Sequence, residues 1–285
     1  VLFRSLASFK PIKVSQAAQT HAGTYYLVDG EGWINASDLS TTDNRIEAVQ
    51  KVLNEKYNNQ ERISVYVKQL DTDRVAAIND EKSMYAASVA KLGVLYYAQE
   101  RLSQKKLSLS DEYQYTSAVN GFPGAYDPDG SGKISKMPDD KNYSLENLLK
   151  AVAQNSDNVA TNILGYYVTN QYDKAFQKSV DKAAATSWNM DKKELTARAA
   201  GTLMEAVYRQ NGDIITYLSS TDYDGERISK NIDVPVAHKI GDAYDFKHDV
   251  AIVYADSPFI LSIFTDKEGY DKITSIADDV YGILK

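Results

Sequence analysis

A serine and a lysine three residues apart open an apolar helical stretch, Ser88 and Lys91 in YAASVAKLGVLYYAQERL. Residues three apart share a helix face, so the two side chains can touch. A lysine held in apolar surroundings has a lowered pKa and can accept the proton of the serine hydroxyl. The backbone N–H groups of a helix N-terminus also favour developing negative charge. The pair therefore predicts a nucleophilic serine that is activated without histidine.

Two further motifs follow this pair along the chain. An S-D-N triplet at 156–158 lies between two predicted helices, and K-I-G at 239–241 ends a predicted strand. These three motifs in this order, each on the expected secondary structure, are typical of the penicillin-recognising serine enzymes. Over residues 45–285 the chain resembles the class A β-lactamase-like branch of that superfamily.

The resemblance implies a role for each motif residue. Ser88 is expected to attack an amide carbonyl, with Lys91 as its base. Ser156 would relay a proton to the leaving nitrogen. Asn158 would hydrogen-bond the amide side chain of the substrate. Lys239 would supply positive charge for a substrate carboxylate and keep the relay serine oriented.

The residues after that lysine carry the remaining expected substrate contacts. The backbone N–H groups of Ser88 and Asp242 would form the oxyanion hole, and Gly241 directly precedes the Asp242 donor. The family has threonine or serine where this chain has Ile240, and that hydroxyl helps to bind the substrate carboxylate. We therefore expect Ile240 to weaken the site without removing the serine chemistry.

A second departure from the family lies in a short loop. The hydrolysing class A enzymes carry a glutamate after the S-D-N element, where it activates the water that releases the acyl group. In this chain KAAATSWNMDKK, residues 182–193, fills that place and contains no glutamate. Glu194 is expected at the start of the next helix and Glu205 inside it, both away from the site. The chain is therefore expected to form an acyl-enzyme that hydrolyses slowly.

Three functions stay open at this point. A serine acyl-enzyme would act on β-lactams or on D-amino-acid stem peptides of the peptidoglycan. A wall-associated binding protein on a catalytically decayed scaffold would explain Ile240 and the missing glutamate. An esterase would use the same serine on a non-peptide acyl group. The intact motif residues favour an enzyme, because a protein that had lost its activity should carry substitutions at more of these positions.

The patterns around the motifs predict an α+β domain over residues 43–285. A helix and a two-stranded hairpin come first, helices fill 144–218, and three β runs and a closing helix end the chain. This order predicts a β-lactamase/transpeptidase-like fold. In it, one antiparallel sheet is built from both chain ends and an all-helical subdomain is inserted.

Residues 1–42 read differently. Two β-rich runs, Tyr25–Val28 and Trp33–Asn35, flank the turn sequence DGEG. The Gly32–Trp33 pair resembles the end of a bacterial SH3-like wall-binding repeat, which implies a partial module that binds the cell wall. A β-hairpin that only packs on the main domain is the alternative.

A loop between the first two motifs resembles a calcium site. DPDGSGKIS places Asp127, Asp129, Ser131 and Gly132 in register with such a loop, but Pro138 stands where the bidentate glutamate belongs. A surface loop that rims the active site is therefore favoured over a metal site. His238 and His248 lack zinc-ligand spacing and are expected to be structural. We expect no metal or other cofactor.

Composition narrows the partners and the compartment. The 285 residues carry a net charge of −7, which argues against nucleic acid or an anionic membrane as the main partner. There is no cysteine, which excludes disulfides and thiolate chemistry. With the wall-directed resemblances, we expect an extracytoplasmic monomer, secreted or anchored at the cell surface, whose leader is not in this sequence.

Overall fold

The structure, a computed structural model, describes residues 12–40 and 42–285. Residues 1–11 and 41 of the predicted N-terminal module therefore lie outside the described part. None of the described helices is long and apolar enough to cross a membrane.

A small antiparallel sheet comes first. It consists of β1 (Val14–Thr20), β2 (Gly23–Val28) and β3 (Gly32–Asn35), paired in that order. The two predicted β runs fall in β2 and β3. Gly32, the first residue of β3, has a φ of 100°, a conformation that favours glycine. Trp33 is 50% exposed, so its indole is available at the surface.

A five-stranded antiparallel sheet is the centre of the main domain. Its strands are β4 (Ile63–Gln69), β5 (Val75–Ile78), β10 (Val236–Ala243), β11 (Phe246–Val253) and β12 (Phe259–Asp266). They pair in the order β10-β11-β12-β4-β5, so strands from both chain ends share one sheet, as the sequence predicted. This order leaves β10, with the K-I-G motif, at an edge.

Helices cover both faces of this sheet. On one face α1 (Arg45–Tyr57) and α8 (Tyr270–Leu284) pack against Val65 and Val67 of β4. On the other face Tyr66 belongs to a second, larger core. Successive strand residues point to opposite faces, so β4 is apolar on both. The larger core reaches from the sheet into the helical subdomain.

Four of the six inserted helices begin at a side-chain N-cap. The six helices are α2 (Lys91–Ser103), α3 (Leu145–Asn155), α4 (Asn158–Tyr167), α5 (Lys174–Ala184), α6 (Ala197–Gln210) and α7 (Asp213–Leu218). Side-chain oxygens accept first-turn N–H groups at four of these starts, from Ser144, Asp157, Asp173 and Thr196. The predicted helical block is confirmed.

Two pairs of very short strands complete the fold. β6 (Met84–Tyr85) pairs with β9 (Glu194–Leu195), and β7 (Glu112–Gln114) pairs with β8 (Asn142–Ser144). Placing Glu194 at a helix start was therefore wrong: it pairs with Tyr85, and α6 begins at Ala197 after the Thr196 cap. The pairing brings the loop of residues 182–193 beside the serine.

Candidate active site

Ser88 lies in a 3₁₀ turn, Ala87–Ala90, that leads directly into α2. The preceding Ala87 has a φ of 49°, in the left-handed region that residues with a side chain seldom adopt. The Tyr126 hydroxyl donates to the Ala87 carbonyl at 3.3 Å and helps to hold this conformation. Ser88 is 7% exposed and borders a cavity. The serine thus sits at a helix start, as the sequence predicted, on a strained turn that fixes its position.

Lys91 is fully buried and points inward. Its Nζ donates to the Ser156 carbonyl at 2.6 Å and to Asn158 Oδ1 at 2.5 Å, and it lies 3.4 Å from Ser156 Oγ. It also sits 4.5 Å from the ring centre of Tyr126. Burial lowers the pKa of Lys91 well below its usual value, and the nearby Lys239 charge lowers it further. The shift favours the neutral amine, which is the form that a base needs.

Among the residues that the structure describes, Ser88 and Lys91 do not form the expected hydrogen bond with each other. Lys91 Nζ donates to the S-D-N residues instead. A neutral amine has two N–H donors and one lone pair. The two short bonds to oxygens of Ser156 and Asn158 use both donors. The lone pair is left to accept a hydroxyl proton, so the arrangement is compatible with Lys91 acting as base.

The S-D-N residues connect two helices with a sharp turn. Ser156 ends α3 in the left-handed region, with a φ of 54°, and Asp157 caps α4. Asn158 uses both ends of its amide within the protein, because Oδ1 accepts from Lys91 and Nδ2 donates to the Asp127 carbonyl at 2.7 Å. In this structure Asn158 positions the lysine, and its contact with substrate stays a prediction.

The loop of residues 127–135 clamps this turn from outside. Asp157 Oδ2 accepts the backbone N–H groups of Lys133 and Ile134, at 2.6 and 2.9 Å. Gly132 has a φ of 126°, and a Cβ there would lie 2.3 Å from the Asp157 carboxyl carbon. Over residues 12–40 and 42–285, no three His, Cys, Asp or Glu side chains gather as metal ligands would. The calcium-like pattern thus builds a loop that supports the site, and Ser131 borders the cavity beside Ser88.

Lys239 reaches the same place from the edge strand. It is 1% exposed, and its Nζ donates to Ser156 Oγ at 2.8 Å and to the Ile240 carbonyl at 3.1 Å. Burial lowers the pKa of Lys239 to about 7, although Asp249 opposes the shift, and Arg227 adds to the lowering. Ser156 therefore lies between two lysine amines, which suits a hydroxyl that passes protons.

Gly241 allows β10 to approach the serine turn closely. A Cβ at this position would lie 2.6 Å from the Ala86 carbonyl oxygen, too close for any other residue without a backbone shift. The strand packs directly against the Ala87–Ala90 turn. Ile240 and Asp242, on either side of the glycine, border the cavity with Ser88. The predicted oxyanion donors therefore come from segments that lie in contact.

The cavity beside Ser88 has a volume of about 700 Å³, which is within the range of small-molecule sites. Polar residues dominate its lining: Ser88, Ser131, Tyr223, Glu226, Arg227 and Asp242. Of the catalytic residues predicted from the sequence, Ser88 borders this cavity, and Lys91 and Lys239 converge on Ser156, with their Nζ atoms 3.4 and 2.8 Å from its Oγ.

A buried ion-pair network lies behind the lysine strand. His238 Nδ1 contacts both oxygens of Asp249 at 3.1 Å, and Nε2 contacts Asp224 at 3.2 Å and Thr221 at 3.0 Å. Burial opposes protonation, but the Asp249 and Asp224 carboxylates outweigh it and raise the pKa of His238 to about 9. His238 is thus structural, as predicted, and carries a charge at neutral pH.

We predict that His238→Gln lowers stability in a pH-dependent way. A pKa raised from 6.5 to about 9 stabilises the fold fully below pH 6.5, on the order of 3 kcal/mol, and this contribution is lost as pH rises through 9. Urea unfolding at pH 6 and at pH 10 measures it. The gap between wild type and His238→Gln should be several-fold larger at pH 6. An equal gap at both values would contradict a charged His238.

His248 has a different environment, although it is next to Asp249 in sequence. Its Nε2 lies 2.9 Å from the Tyr85 carbonyl, and its Nδ1 accepts from the Thr265 N–H at 3.1 Å. Burial lowers the pKa of His248 to about 4. This neutral histidine ties β11 of the main sheet to the short strand β6, which precedes Ser88.

The loop that lacks the glutamate packs against the serine turn but places none of its side chains at the serine cavity. The Lys193 carbonyl accepts the Ala86 N–H at 2.7 Å, and Lys193 Nζ donates to the Gly124 carbonyl at 2.7 Å. Glu194 borders a different cavity from that of Ser88. Glu205 is paired with Lys68 and Arg209 beside the sheet. Neither glutamate borders the serine cavity.

Three carboxylates do border that cavity, and each is ion-paired. Asp222 binds Lys133 at 2.6 Å. Glu226 binds Arg227, and Asp242 binds Arg227 at 3.0 Å and Lys247 at 2.5 Å. Carboxylates neutralised in this way are poorly suited to activate a water.

Sequence reasoning missed Tyr126, Lys193 and Arg227. Two lysine amines, those of Lys91 and Lys193, each lie 4.5 Å from the ring centre of Tyr126. Arg227 is 1% exposed beneath the cavity. None of the three belongs to a motif or a periodic pattern, so no local signal could have identified them.

One protein-family model matches most of the chain. The model of the "Beta-lactamase enzyme family" matches residues 44–284. No curated protein matches the chain.

Solved structures of low sequence identity share the fold. TLA-3 extended-spectrum beta-lactamase has a TM-score of 0.70 at 16% identity, covering 84% of this chain and 99% of that one. A PBP-A variant solved as an acyl-enzyme complex with penicillin G has a TM-score of 0.67 at 15% identity, covering 84% and 95%. The beta-lactamase from Sphaerobacter thermophilus DSM 20745 has a TM-score of 0.65 at 14% identity, covering 84% and 94%.

Proposed function

The chain belongs to the beta-lactamase enzyme family, and from that membership we propose that it is a serine acyl-enzyme that reacts through Ser88. Its substrates are β-lactams or the D-amino-acid stem peptides of peptidoglycan. The observation that carries the proposal is the buried Lys91, whose pKa is lowered by burial and whose amine is hydrogen-bonded to the S-D-N residues near a cavity-lining serine. Unpaired burial of a lysine is costly and needs such a reason.

The proposed acylation uses the residues already placed. Ser88 Oγ attacks the carbonyl carbon as Lys91 takes the hydroxyl proton. The N–H groups of Ser88 and Asp242 stabilise the oxyanion, each worth about 2.7–4 kcal/mol in such sites. The amide bond then breaks, and the leaving nitrogen takes a proton from Ser156, which is replenished from Lys91. The product is an ester of Ser88.

We predict that Ile240→Thr speeds acylation by penicillin about tenfold to a hundredfold, the effect of one hydrogen bond to a charged group. The threonine hydroxyl would reach the cavity that Ile240 borders. The matched control is Ile240→Val, which has the shape of threonine without the hydroxyl. Time courses of labelling with a fluorescent penicillin measure both. Equal acceleration by threonine and valine would attribute the gain to size and refute the hydrogen bond.

A catalytically decayed, wall-associated binding protein is the second candidate, because Ile240 and the glutamate-free loop both depart from the hydrolysing enzymes. Fluorescent penicillin separates the two functions. An active enzyme should acquire covalent label on the wild-type chain and none on Ser88→Ala, whereas a decayed binding protein would leave both chains unlabelled. An esterase would label weakly and cleave simple acyl esters.

A separate proposal concerns the N-terminal sheet, in which the exposed Trp33 would belong to a cell-wall-binding module. We further propose that the protein acts outside the cytoplasm and as a monomer. Deleting residues 1–42 should weaken sedimentation with purified peptidoglycan and leave penicillin labelling unchanged. Sedimentation of both forms to the same extent would favour a hairpin that only packs on the main domain.

A further inference from the structure

An anion-binding cluster beside Ser88 is filled by a carboxylate of the chain itself. Asp242 Oδ2 accepts from Arg227 Nη2 at 3.0 Å and from the Tyr270 hydroxyl. Asp242 Oδ1 accepts from Lys247 Nζ at 2.5 Å. Two cations and one phenol therefore converge on one carboxylate group.

The cluster belongs to the serine cavity. Arg227, Asp242 and Tyr270 all border the cavity that Ser88 borders. The Arg227 guanidinium is 1% exposed and lies 3.8 Å from the ring centre of Tyr270, so its position is fixed. Its Nη1 binds Glu226, and its buried Nε has no partner among the residues that the structure describes. A rigid arginine with a free donor is a built site for an anion.

We propose that Asp242 is a specificity-determining residue that occupies this cluster of Arg227, Lys247 and Tyr270 and excludes substrate carboxylates from it. The inference rests on the proposed function and narrows its substrate class. Preferred acyl donors are uncharged at the group that faces the cluster, such as amides or esters. Carboxylate-bearing β-lactams bind weakly because they must displace Asp242 from two cations.

Two neighbouring features agree with this assignment. Ile240 lacks the hydroxyl that would help to bind a carboxylate. Lys239 is buried and has donors engaged by Ser156 Oγ and the Ile240 carbonyl. On this side of the cavity, isoleucine therefore replaces the hydroxyl at position 240, Lys239 is engaged in internal hydrogen bonds, and Arg227 is covered by Asp242.

Reversible binding to chains that carry Ser88→Ala tests the inference without needing acylation. The probes are benzylpenicillin and its methyl ester, which differ only by the free carboxylate. Adding Asp242→Asn, which keeps the shape and removes the charge, should tighten benzylpenicillin binding at least tenfold and change ester binding less than twofold. Titration calorimetry measures both. No gain, or the same gain for acid and ester, would overturn the inference.

The control is Asp222→Asn, since Asp222 borders the same cavity but pairs with Lys133 outside the cluster. It should leave the preference between acid and ester unchanged. If Asp242→Asn fails to fold, the comparison within Ser88→Ala alone still decides: the ester should bind at least as tightly as the acid, and tenfold tighter binding of the acid would refute the proposal.

Labelling of chains that retain Ser88 keeps the two hypotheses apart. Selective tightening by Asp242→Asn without any covalent label would support the anion cluster and refute the acyl-enzyme. Label on Ser88 without selective tightening would refute the anion cluster alone.

Discussion

Lys91→Met will slow acylation of Ser88 by penicillin about 10²–10⁴-fold, the usual contribution of a positioned general base. Lys91 is the proposed base because its amine is buried, has a lowered pKa and is held by hydrogen bonds to the S-D-N residues, three residues along the chain from Ser88. Methionine fills the space of the lysine chain but has no basic nitrogen. Quenched time courses with a fluorescent penicillin measure the rate, and thermal unfolding checks the fold.

The matched control is Lys193→Met. Lys193 lies at the same 4.5 Å from the Tyr126 ring centre as Lys91, but donates to the Gly124 carbonyl, outside the S-D-N residues. Its loss should slow acylation far less. Acylation of Lys91→Met at the wild-type rate, in a folded protein, would show that another group is the base.

The acyl-enzyme formed with benzylpenicillin will persist, with hydrolysis about 10²–10⁴-fold slower than in an enzyme with a positioned base for deacylation. The loop of residues 182–193 has no glutamate, and the carboxylates at the cavity are ion-paired. After free antibiotic is removed, the fraction of adduct followed by mass spectrometry over hours gives the lifetime.

Two glutamine variants make this prediction specific. Glu194→Gln should leave the lifetime unchanged, because Glu194 borders another cavity. Glu226→Gln should also leave it unchanged, because Arg227 neutralises Glu226. Rapid return to the unmodified mass in wild type, slowed by Glu226→Gln, would show that Glu226 supplies the base and that slow deacylation was the wrong expectation.

Most of the main sheet and of the helical block could be predicted from the sequence. Four of the five sheet strands have seven or eight residues and five of the six inserted helices have ten or more, and elements of that length carry a periodic pattern. The two- and three-residue strands carry none. Glu194 was misplaced for that reason: two residues of β9 read as the start of α6, although the cap at Thr196 is a recognisable signal.

The candidate catalytic residues could be predicted because each lies in a motif, whereas their contacts could not. His248 and Asp249 are adjacent in the sequence, but adjacent strand residues point to opposite faces of a sheet. Asp249 instead meets His238, its diagonal neighbour on β10. Arg227 and Tyr126 reach the site through contacts between distant parts of the chain, which no local pattern reports.

Intact-mass spectrometry after mixing with benzylpenicillin tests whether Ser88 forms an acyl-enzyme. The wild-type chain should gain the mass of one antibiotic molecule, peptide mapping should place it on Ser88, and Ser88→Ala should gain nothing. An unmodified wild-type chain with no antibiotic consumed, or equal modification of Ser88→Ala, would contradict a serine acyl-enzyme at this site.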